Sequence, residues 1–374
     1  MEEARNAEYA LKLLKKAIKI YAPSWEEEEI VCLLESIFEK TNTIINRDEI
    51  GNFIATIGNG KPVIFLCSHM DTIADPLEFK DDEGFFFGRG AVDCRAPLIA
   101  MALACKRLAS QNFKGKIVFA GLVAEEVSTK GIEKFLDDFH FLPNFAIFGE
   151  PTTIQKICIG YKGRIWLNAA ASTKPSHVSA IWGHANVIEA LIEFVSKISE
   201  NITYLTKGKK LTPFHTPRVT ITTFHSGRIT NMLPDKAITD IDIRLPPGFK
   251  VNTILKLIEN AKSEIIKKYK EIDEEFEFVV EVKSKVDAIR VPTRGKLCKV
   301  LGDAIEHITG AAPRFVKKTG TTFMNHIGER YECQIVTYGP GNPQLEHSLD
   351  EKISKKEFLK AIDILERLLL NLLA

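Results

Sequence analysis

Residues 63–72 read Val-Ile-Phe-Leu-Cys-Ser-His-Met-Asp-Thr, a short apolar run followed by polar residues. Five apolar residues in a row are typical of a strand that is buried on both faces. Similar apolar runs occur at 117–124 and 145–148, and residues 97–110 have the apolar spacing of a helix. Buried strands with helices between them predict an α/β fold with a parallel or mixed sheet.

The segments outside these strands predict further helices. Apolar side chains recur at helical spacing in 8–21 and 25–40, and Ser24 is a candidate N-cap ahead of an acidic first turn. The later part of the chain predicts a helix, a strand and an amphipathic helix, at 294–309, 333–338 and 354–372. These elements return the chain to the domain that contains the buried strands.

The middle of the chain has a different order of elements. It predicts strand, helix, strand, strand, helix and strand, at 165–172, 184–198, 218–225, 237–244, 252–270 and 275–282. This is the β-α-β-β-α-β order of a ferredoxin-like α+β domain. We therefore predict one domain from 1–163 and 288–374, with 164–287 inserted into it as a second domain.

Composition and charge exclude several classes of function. The 374 residues include 50 Lys and Arg against 49 Asp and Glu, so no net positive field attracts nucleic acid or an anionic membrane. The chain lacks a run of roughly 18 apolar residues that could span a membrane, and its first residues lack the pattern of a secretory signal. We expect a cytoplasmic protein whose partner is a small molecule or another protein. The seven scattered cysteines predict mostly buried thiols.

Polar residues follow each buried strand, at the edge where open α/β sheets bind their ligands. His69 and Asp71 follow the first apolar run, Glu125 and Glu126 follow the second, and Glu150 follows the third. Carboxylates that converge at one edge repel one another and raise each other's pKa unless a cation neutralises them. The arrangement therefore favours a metal site.

Two more segments carry side chains of the same kind. Asp93 ends a glycine-rich loop, 88–93 (GRGAVD), directly ahead of a predicted helix, and His347 lies late in the chain in 346–348 (EHS). A set of imidazoles and carboxylates suits zinc better than calcium, with cobalt or manganese as substitutes. The predicted metal is therefore zinc.

One family of zinc hydrolases has five metal-site motifs that this chain resembles in the same order. The matching segments are 68–72 (SHMDT), 88–93 (GRGAVD), 125–126 (EE), 149–151 (GEP) and 346–348 (EHS). The family contains acetylornithine deacetylases, succinyl-diaminopimelate desuccinylases and carboxypeptidase G, and the resemblance covers nearly the whole chain. It implies a di-zinc amidohydrolase with a mixed-sheet, zinc-peptidase-like catalytic domain. The inserted ferredoxin-like domain would then serve as a lid and as the dimerisation domain of a homodimer.

The resemblance also implies the metal ligands, two zinc ions being expected in each chain. Asp93 would bridge both metals. His69 and Glu150 would complete one site, and Glu126 and His347 would complete the other. The family further implies a cis peptide bond directly after the bridging aspartate.

The catalytic roles implied by the resemblance fall on carboxylates beside these ligands. Glu125 would be the general base, and Asp71 would orient the imidazole of His69. Two cations lower the pKa of a shared water, and a nearby carboxylate passes its proton to the leaving amine. Neighbouring side chains diverge along an extended strand, so Glu125 and Glu126 both reach the site only if the chain turns there.

Several residues of the insert resemble substrate-binding groups of the same family. Arg244 would hold a substrate carboxylate through a two-pronged hydrogen bond, and Asn231 would also contact the substrate. His177 would reach across a dimer interface and donate a hydrogen bond to the developing oxyanion.

Within the family, 160–163 (GYKG) and 318–322 (KTGTT) most resemble the lysine- and ornithine-releasing hydrolases of lysine biosynthesis. Those enzymes act on an amino-group carrier protein, and the resemblance makes Thr321 and Thr322 substrate-binding residues. Phe323 stands where these enzymes have an acid.

Two alternatives remain open at this point. The chain could be an acetylornithine or acetyl-lysine deacetylase, or a succinyl-diaminopimelate desuccinylase, that uses the same metals on a small free acyl-amino acid. It could also be a metal-binding protein without catalytic activity, although the presence of Glu125 beside the complete ligand set argues against this.

Overall fold

The computed structural model describes residues 6–180 and 182–374. These residues form two compact units. The first contains the described residues up to Gly160, with Val291–Lys317 and Thr322–Ala374, and the second contains Tyr161–Arg290 and Lys318–Thr321. The sequence predicts domain boundaries at 163–164 and 287–288, and it assigns 318–321 to the first domain.

Two hydrogen bonds explain why Lys318–Thr321 belongs to the second unit. The backbone N–H of Lys162 donates to the carbonyl oxygen of Gly320 at 3.1 Å. In return, the Thr321 hydroxyl donates to the carbonyl oxygen of Lys162 at 2.7 Å. A sequence pattern of apolar residues carries no information about such pairing between distant loops.

The described residues form helices and strands along the whole length of the chain. The helices are α1 (Ala7–Lys19), α2 (Glu28–Phe38), α3 (Arg95–Ala109), α4 (Lys130–Asp138), α5 (Val187–Tyr204), α6 (Val251–Lys270), α7 (Lys296–Thr309), α8 (Phe323–Arg330) and α9 (Lys355–Leu373). The strands are β1 (Thr43–Arg47), β2 (Phe53–Asn59), β3 (Val63–His69), β4 (Lys80–Asp81), β5 (Phe85–Phe87), β6 (Gly115–Leu122), β7 (Phe145–Gly149), β8 (Lys156–Tyr161), β9 (Gly163–Ser172), β10 (Ser176–His177), β11 (Arg218–Ser226), β12 (Met232–Leu233), β13 (Lys236–Leu245), β14 (Glu277–Val286), β15 (Ile289–Arg290), β16 (Arg314–Lys318), β17 (Gln334–Thr337) and β18 (Lys352–Ser354).

A large mixed sheet forms the centre of the first unit, in the order β1-β2-β6-β3-β7-β17-β8. Strands β6, β3, β7 and β17 run parallel to one another, whereas β1, β2 and β8 pair antiparallel with their neighbours. Every residue of β3 is buried, as its continuous apolar run predicts. Helix α3 is buried at almost every position and packs against α1, α2 and α9. The prediction of an α/β fold with a mixed sheet is confirmed.

The second unit contains an antiparallel sheet in the order β11-β13-β9-β14. Burial alternates residue by residue along β9, so one face of the sheet lies against the core and the other does not. Helices α5 and α6 cover the buried face with apolar side chains that include Phe194 and Ile258. This sheet order and the two helices confirm the ferredoxin-like α+β prediction.

The prediction of Ser24 as an N-cap is wrong. Helix α2 begins at Glu28, and Glu27 occupies the N-cap position without a side-chain hydrogen bond to the helix. The Ser24 hydroxyl instead donates to the carboxylate of Asp71 at 2.6 Å. A left-handed residue, Trp25 with φ of 76°, separates Ser24 from the helix and directs the chain away from a capping geometry.

Two further expectations can be compared with the structure. Five cysteines are buried, whereas Cys32 is exposed and Cys333 is intermediate, so the prediction of mostly buried thiols is confirmed. Among the helices of residues 6–180 and 182–374, none has both the length and the apolar composition needed to cross a bilayer.

Candidate active site

Adjacent parallel strands bring several polar side chains to one edge of the large sheet. His69 is the last residue of β3, Glu150 directly follows β7, and Glu125 and Glu126 follow β6. Because β3 lies between β6 and β7 and runs parallel to both, these side chains emerge at the same edge. His69 Nε2 lies 3.7 Å from Glu150 Oε1.

The carboxylate of Asp93 lies between two imidazoles. Its Oδ1 is 3.0 Å from His69 Nε2, and its Oδ2 is 3.2 Å from His347 Nε2. His347 Nε2 also lies 3.1 Å from Glu126 Oε1. Each oxygen of Asp93 therefore faces a different group of potential ligands. The peptide bond that follows Asp93 is cis, as the resemblance implies.

These side chains form two groups of potential metal ligands that share Asp93. One group contains His69, Asp93, Cys94 and Glu150, and the other contains Asp93, Glu126 and His347. Within each group the ligand atoms lie within 4.8 Å of one another. The Cys94 thiol donates to the carbonyl oxygen of Gly149 at 2.9 Å, so it already has a hydrogen-bond acceptor.

The electrostatics of these groups fit bound cations. Burial and the charge of Asp93 raise the pKa of Glu126, although its contact with His347 opposes that shift. Hydrogen bonds to Asp93 and Glu126 raise the pKa of His347 to about 10. Several carboxylates thus share a confined space with imidazoles whose nitrogens point at them. This donor set suits zinc and related transition metals.

The carboxylate of Asp71 contacts several segments beside the potential metal ligands. Its carboxylate accepts hydrogen bonds from the backbone N–H groups of Glu125 at 3.0 Å and Glu126 at 3.1 Å. Ser24 donates to the same carboxylate, and His69 Nδ1 lies 3.3 Å from its Oδ1. Asp71 therefore contacts both the imidazole of His69 and the turn that carries the two glutamates.

The turn that the sequence requires before Glu125 is present. Ala124 has a positive φ of 56°, which redirects the chain after β6. The Glu27 carboxylate accepts hydrogen bonds from the N–H groups of Ala124 at 2.9 Å and Trp25 at 3.0 Å. Glu27 is only 4% exposed, and sequence reasoning missed it because its neighbours are acidic as well.

The glycine-rich loop before Asp93 packs closely against the rest of the site. Gly90 has φ of 79°, in the left-handed region. A Cβ atom there would lie 2.8 Å from Thr72 Cγ2 and 2.9 Å from Arg95 Cγ. Both the backbone conformation and the lack of space therefore require glycine.

The second unit contains His177 and Asn231, whose backbones are neighbours. His177 is exposed and pairs with Met232 in the short β10–β12 ladder, and the N–H of Val178 donates to the carbonyl oxygen of Asn231 at 3.0 Å. His177 Nδ1 lies 2.8 Å from the Ser179 hydroxyl. The predicted roles of both residues stay predictions.

Arg244 lies in a row of arginines that the sequence did not reveal. On β13 it stands opposite Arg218 of β11 and Arg164 of β9. Asp242 accepts hydrogen bonds from the Nε atoms of Arg164 and Arg244, each at 2.6 Å. Cross-strand like charges are unfavourable unless something compensates them. The single carboxylate of Asp242 is shared between two of these arginines.

Thr321 and Thr322 have structural contacts of their own. Thr321 donates to the carbonyl oxygen of Lys162, as described above. Thr322 is buried and caps α8, where its side chain accepts a hydrogen bond from the N–H of Met324 at 3.2 Å. Phe323 is buried as well, with its ring centroid 6.3 Å from that of Phe148. The residue that replaces the family's acid therefore packs into the apolar core.

Comparison with known proteins identifies the family. Residues 65–371 match the model of peptidase family M20/M25/M40. The chain belongs to this family. A LysW-lysine/LysW-ornithine hydrolase of Saccharolobus solfataricus is 30% identical over 353 residues, which cover 93% of this chain and 91% of that protein. The resemblance drawn from the five sequence motifs is thereby confirmed, and the protein is a metal-dependent hydrolase of the M20 type.

Solved structures of M20 proteins share the fold. An M20 family metallo-carboxypeptidase from Sulfolobus solfataricus superposes with a TM-score of 0.79 at 17% identity, covering 96% of this chain and 98% of that one. A dinuclear metal binding peptidase of the M20 family from Bacillus subtilis gives a TM-score of 0.67 at 15% identity, covering 98% of each chain. At these identities the likeness concerns the fold.

Proposed function

We propose that this M20 protein is a two-zinc amidohydrolase that releases lysine or ornithine from a carrier-protein-linked precursor. The observation that carries the proposal is the position of Asp93, whose two oxygens face separate groups of histidine and carboxylate ligands. The substrate class is supported by the name of the Saccharolobus solfataricus relative, a LysW-lysine/LysW-ornithine hydrolase that aligns over nearly the full chain.

Five residues would hold the metals. His69, Asp93 and Glu150 would bind one ion, and Asp93, Glu126 and His347 would bind the other. Zinc fits this donor set, and cobalt or manganese could substitute for it. When bound, such a pair lowers the pKa of a water molecule and polarises the scissile carbonyl.

Glu125 is the general base in this proposal. It belongs to neither group of potential metal ligands, and Asp71 fixes its backbone beside them. Its carboxylate takes a proton from the attacking water and transfers it to the leaving amine. Asp71 also contacts His69 Nδ1, which leaves Nε2 directed at Asp93 and Glu150.

Substrate recognition is assigned to Arg244, Asn231, Thr321 and Thr322. Arg244 uses Nε to contact Asp242, and within the described part of the chain its two terminal nitrogens have no hydrogen-bond acceptor. A guanidinium held in this way can bind a substrate carboxylate through both terminal N–H groups. Arg218, its cross-strand neighbour, adds positive charge for the same anion.

A substrate panel tests the proposed function. The zinc-loaded protein should release lysine or ornithine from a carrier-linked substrate, with free amino acid measured by mass spectrometry. N-acetyl-lysine, N-acetylornithine and N-succinyl-diaminopimelate should react far more slowly. Equal efficiency on a free acyl-amino acid would instead assign a deacetylase or desuccinylase. Metal binding without hydrolysis of any of these substrates would favour a non-catalytic protein.

We further propose that the protein acts as a homodimer in which His177 serves the active site of the partner subunit. The supporting observation is that His177 is exposed in the second unit and that, among the described residues, its imidazole has only the nearby Ser179 as a hydrogen-bond partner. His177→Ala alone should lower kcat by about 10²–10³-fold, the usual loss for an oxyanion donor. The same two-chain site can be tested more directly with mixed dimers.

Mixed dimers of His177→Ala and Glu125→Ala chains should recover activity. One site of each hybrid would have an intact Glu125 from the first chain and an intact His177 from the second. After verified subunit exchange at equal concentrations, about a quarter of wild-type activity is expected, because half the dimers are hybrids with one working site each.

A matched control distinguishes action of His177 on the partner's site from action on the site of its own chain. Wild-type chains mixed with the Glu125→Ala, His177→Ala double variant should form inactive hybrids if His177 acts across the interface. If His177 acts within its own chain, the wild-type chain of each hybrid stays active. In that event the first mixture also stays inactive, and the trans assignment is wrong.

A further inference from the structure

Arg89 and Glu351 form a buried ion pair next to the candidate metal ligands. Arg89 Nη1 lies 2.9 Å from Glu351 Oε2, and their side chains are only 5% and 0% exposed. A buried ion pair is weak evidence for stability, because desolvation of both charges offsets much of their attraction. A contribution to stability therefore does not explain why this ion pair is buried here, and its other contacts suggest a different role.

Arg89 connects loops that are far apart in the sequence. Its Nε donates to the carbonyl oxygen of Asp75 at 2.7 Å, and its Nη2 donates to the Asp75 carboxylate at 3.0 Å. Its Nη1 also donates to the carbonyl oxygen of Ser348 at 3.2 Å. Asp75 lies in the loop that follows His69, and Ser348 directly follows His347. One guanidinium thus holds segments adjoining two potential metal ligands.

Glu351 contacts the loop that carries a third potential metal ligand, Asp93. Its Oε1 accepts hydrogen bonds from the N–H of Val92 at 2.9 Å and the N–H of Asp93 at 3.0 Å. The Glu351 carbonyl oxygen also accepts the N–H of Gly88 at 3.1 Å. Two successive N–H groups bound to one oxygen fix the orientation of the backbone at Asp93. The side chain of Asp93 then projects from a fixed position.

We propose that the Arg89–Glu351 pair positions Asp93 and His347 as one unit and thereby sets the affinity for both metals. The inference rests on the proposed two-metal site. Both residues are positioning residues, because neither side chain belongs to the two groups of potential ligands. The fork of the guanidinium is required, since a lysine ammonium cannot reach Asp75, Ser348 and Glu351 from one position.

The test measures metal binding rather than turnover. Wild-type protein and the variants Glu351→Gln, Arg89→Met and Arg89→Lys are titrated with Co²⁺, with its visible absorption as the signal and a chromophoric chelator as competitor. Replacing an outer partner of metal ligands typically weakens metal binding by about 10–100-fold, and we expect this for Glu351→Gln and Arg89→Met. Arg89→Lys keeps the charge and should bind Co²⁺ with intermediate affinity.

The Arg107–Glu366 pair supplies a matched control in the same unit. Arg107 is 7% exposed and its Nη1 lies 2.9 Å from Glu366 Oε2, but the pair links α3 to α9, and neither residue belongs to a loop of the candidate site. Arg107→Met removes a comparable buried charge. It should change thermal stability without changing Co²⁺ affinity or the Co²⁺ spectrum.

A double-mutant cycle completes the test. If the pair acts as one unit, Arg89→Met with Glu351→Gln should weaken Co²⁺ binding about as much as one substitution alone. Variants that bind Co²⁺ as tightly as Arg107→Met would overturn the inference while leaving the two-metal site intact. If wild-type protein itself binds no pair of Co²⁺ ions, the proposed function fails instead. Should Arg89→Met not fold, Glu351→Gln and Arg89→Lys still decide the question.

Discussion

Glu125→Ala is expected to keep both metals and to lose turnover almost completely. The carboxylate of Glu125 lies outside both groups of potential ligands, so its removal should not disturb metal binding. Loss of a general base typically lowers kcat by about 10²–10⁴-fold. Metal content is measured by elemental analysis of the dialysed protein, and kcat is measured on the carrier-linked substrate.

Asp71→Asn serves as a comparison for this variant. Asp71 accepts the N–H groups of Glu125 and Glu126, so an amide should displace the turn and reduce both activity and metal affinity. If Glu125→Ala also loses metal, Glu125 is a ligand and the roles of the two neighbouring glutamates are reversed. If it keeps both metal and normal turnover, another group is the base.

Asp93→Ala is expected to remove both metals, whereas His347→Ala should remove one. The two oxygens of Asp93 face His69 and His347 separately, so only this side chain belongs to both groups of ligands. Removing its carboxylate leaves each group of ligands one member short. Metal stoichiometry should fall from two per chain to none in Asp93→Ala, and hydrolysis should be abolished.

The comparison between these variants decides whether Asp93 is a bridge. If Asp93→Ala and His347→Ala each retain one metal ion per chain, Asp93 binds a single metal and is not a bridge. Far-ultraviolet circular dichroism of each variant checks that the fold is retained. Arg107→Met provides the same control as before, because it changes a buried charge away from the candidate site.

Long amphipathic and fully buried segments were predictable because a single physical pattern governs them. The helix predicted at 354–372 is observed at Lys355–Leu373. The strand predicted from the apolar residues 63–67 is observed at Val63–His69, two residues longer. Strands β1, β2 and β8 of the large sheet were not predicted. β1 alternates partly buried and exposed residues at the edge of its sheet, so it lacks a continuous apolar run.

The positions of His69, Glu125, Glu126 and Glu150 were also predictable, because parallel strands deliver their following residues to one edge. The hydrogen bonds that fix the backbone around these residues could not be predicted from the sequence. Glu27 and Glu351 are buried acids that accept backbone N–H groups, and in the sequence they look the same as surface acids. Such partners depend on how distant loops meet, which residue spacing does not encode.

The division of the chain between the two units has a consequence for the order of folding during synthesis. Helix α9 packs against α3 and contributes a row of buried leucines and isoleucines to the first unit. Those residues are synthesised after Tyr161–Arg290, so the core of the first unit stays incomplete while the inserted unit is already available to fold. The inserted unit is therefore expected to form first, and the side of α3 that packs against α9 remains uncovered until α9 arrives. This interval is when the nascent protein is most open to aggregation and to chaperone binding.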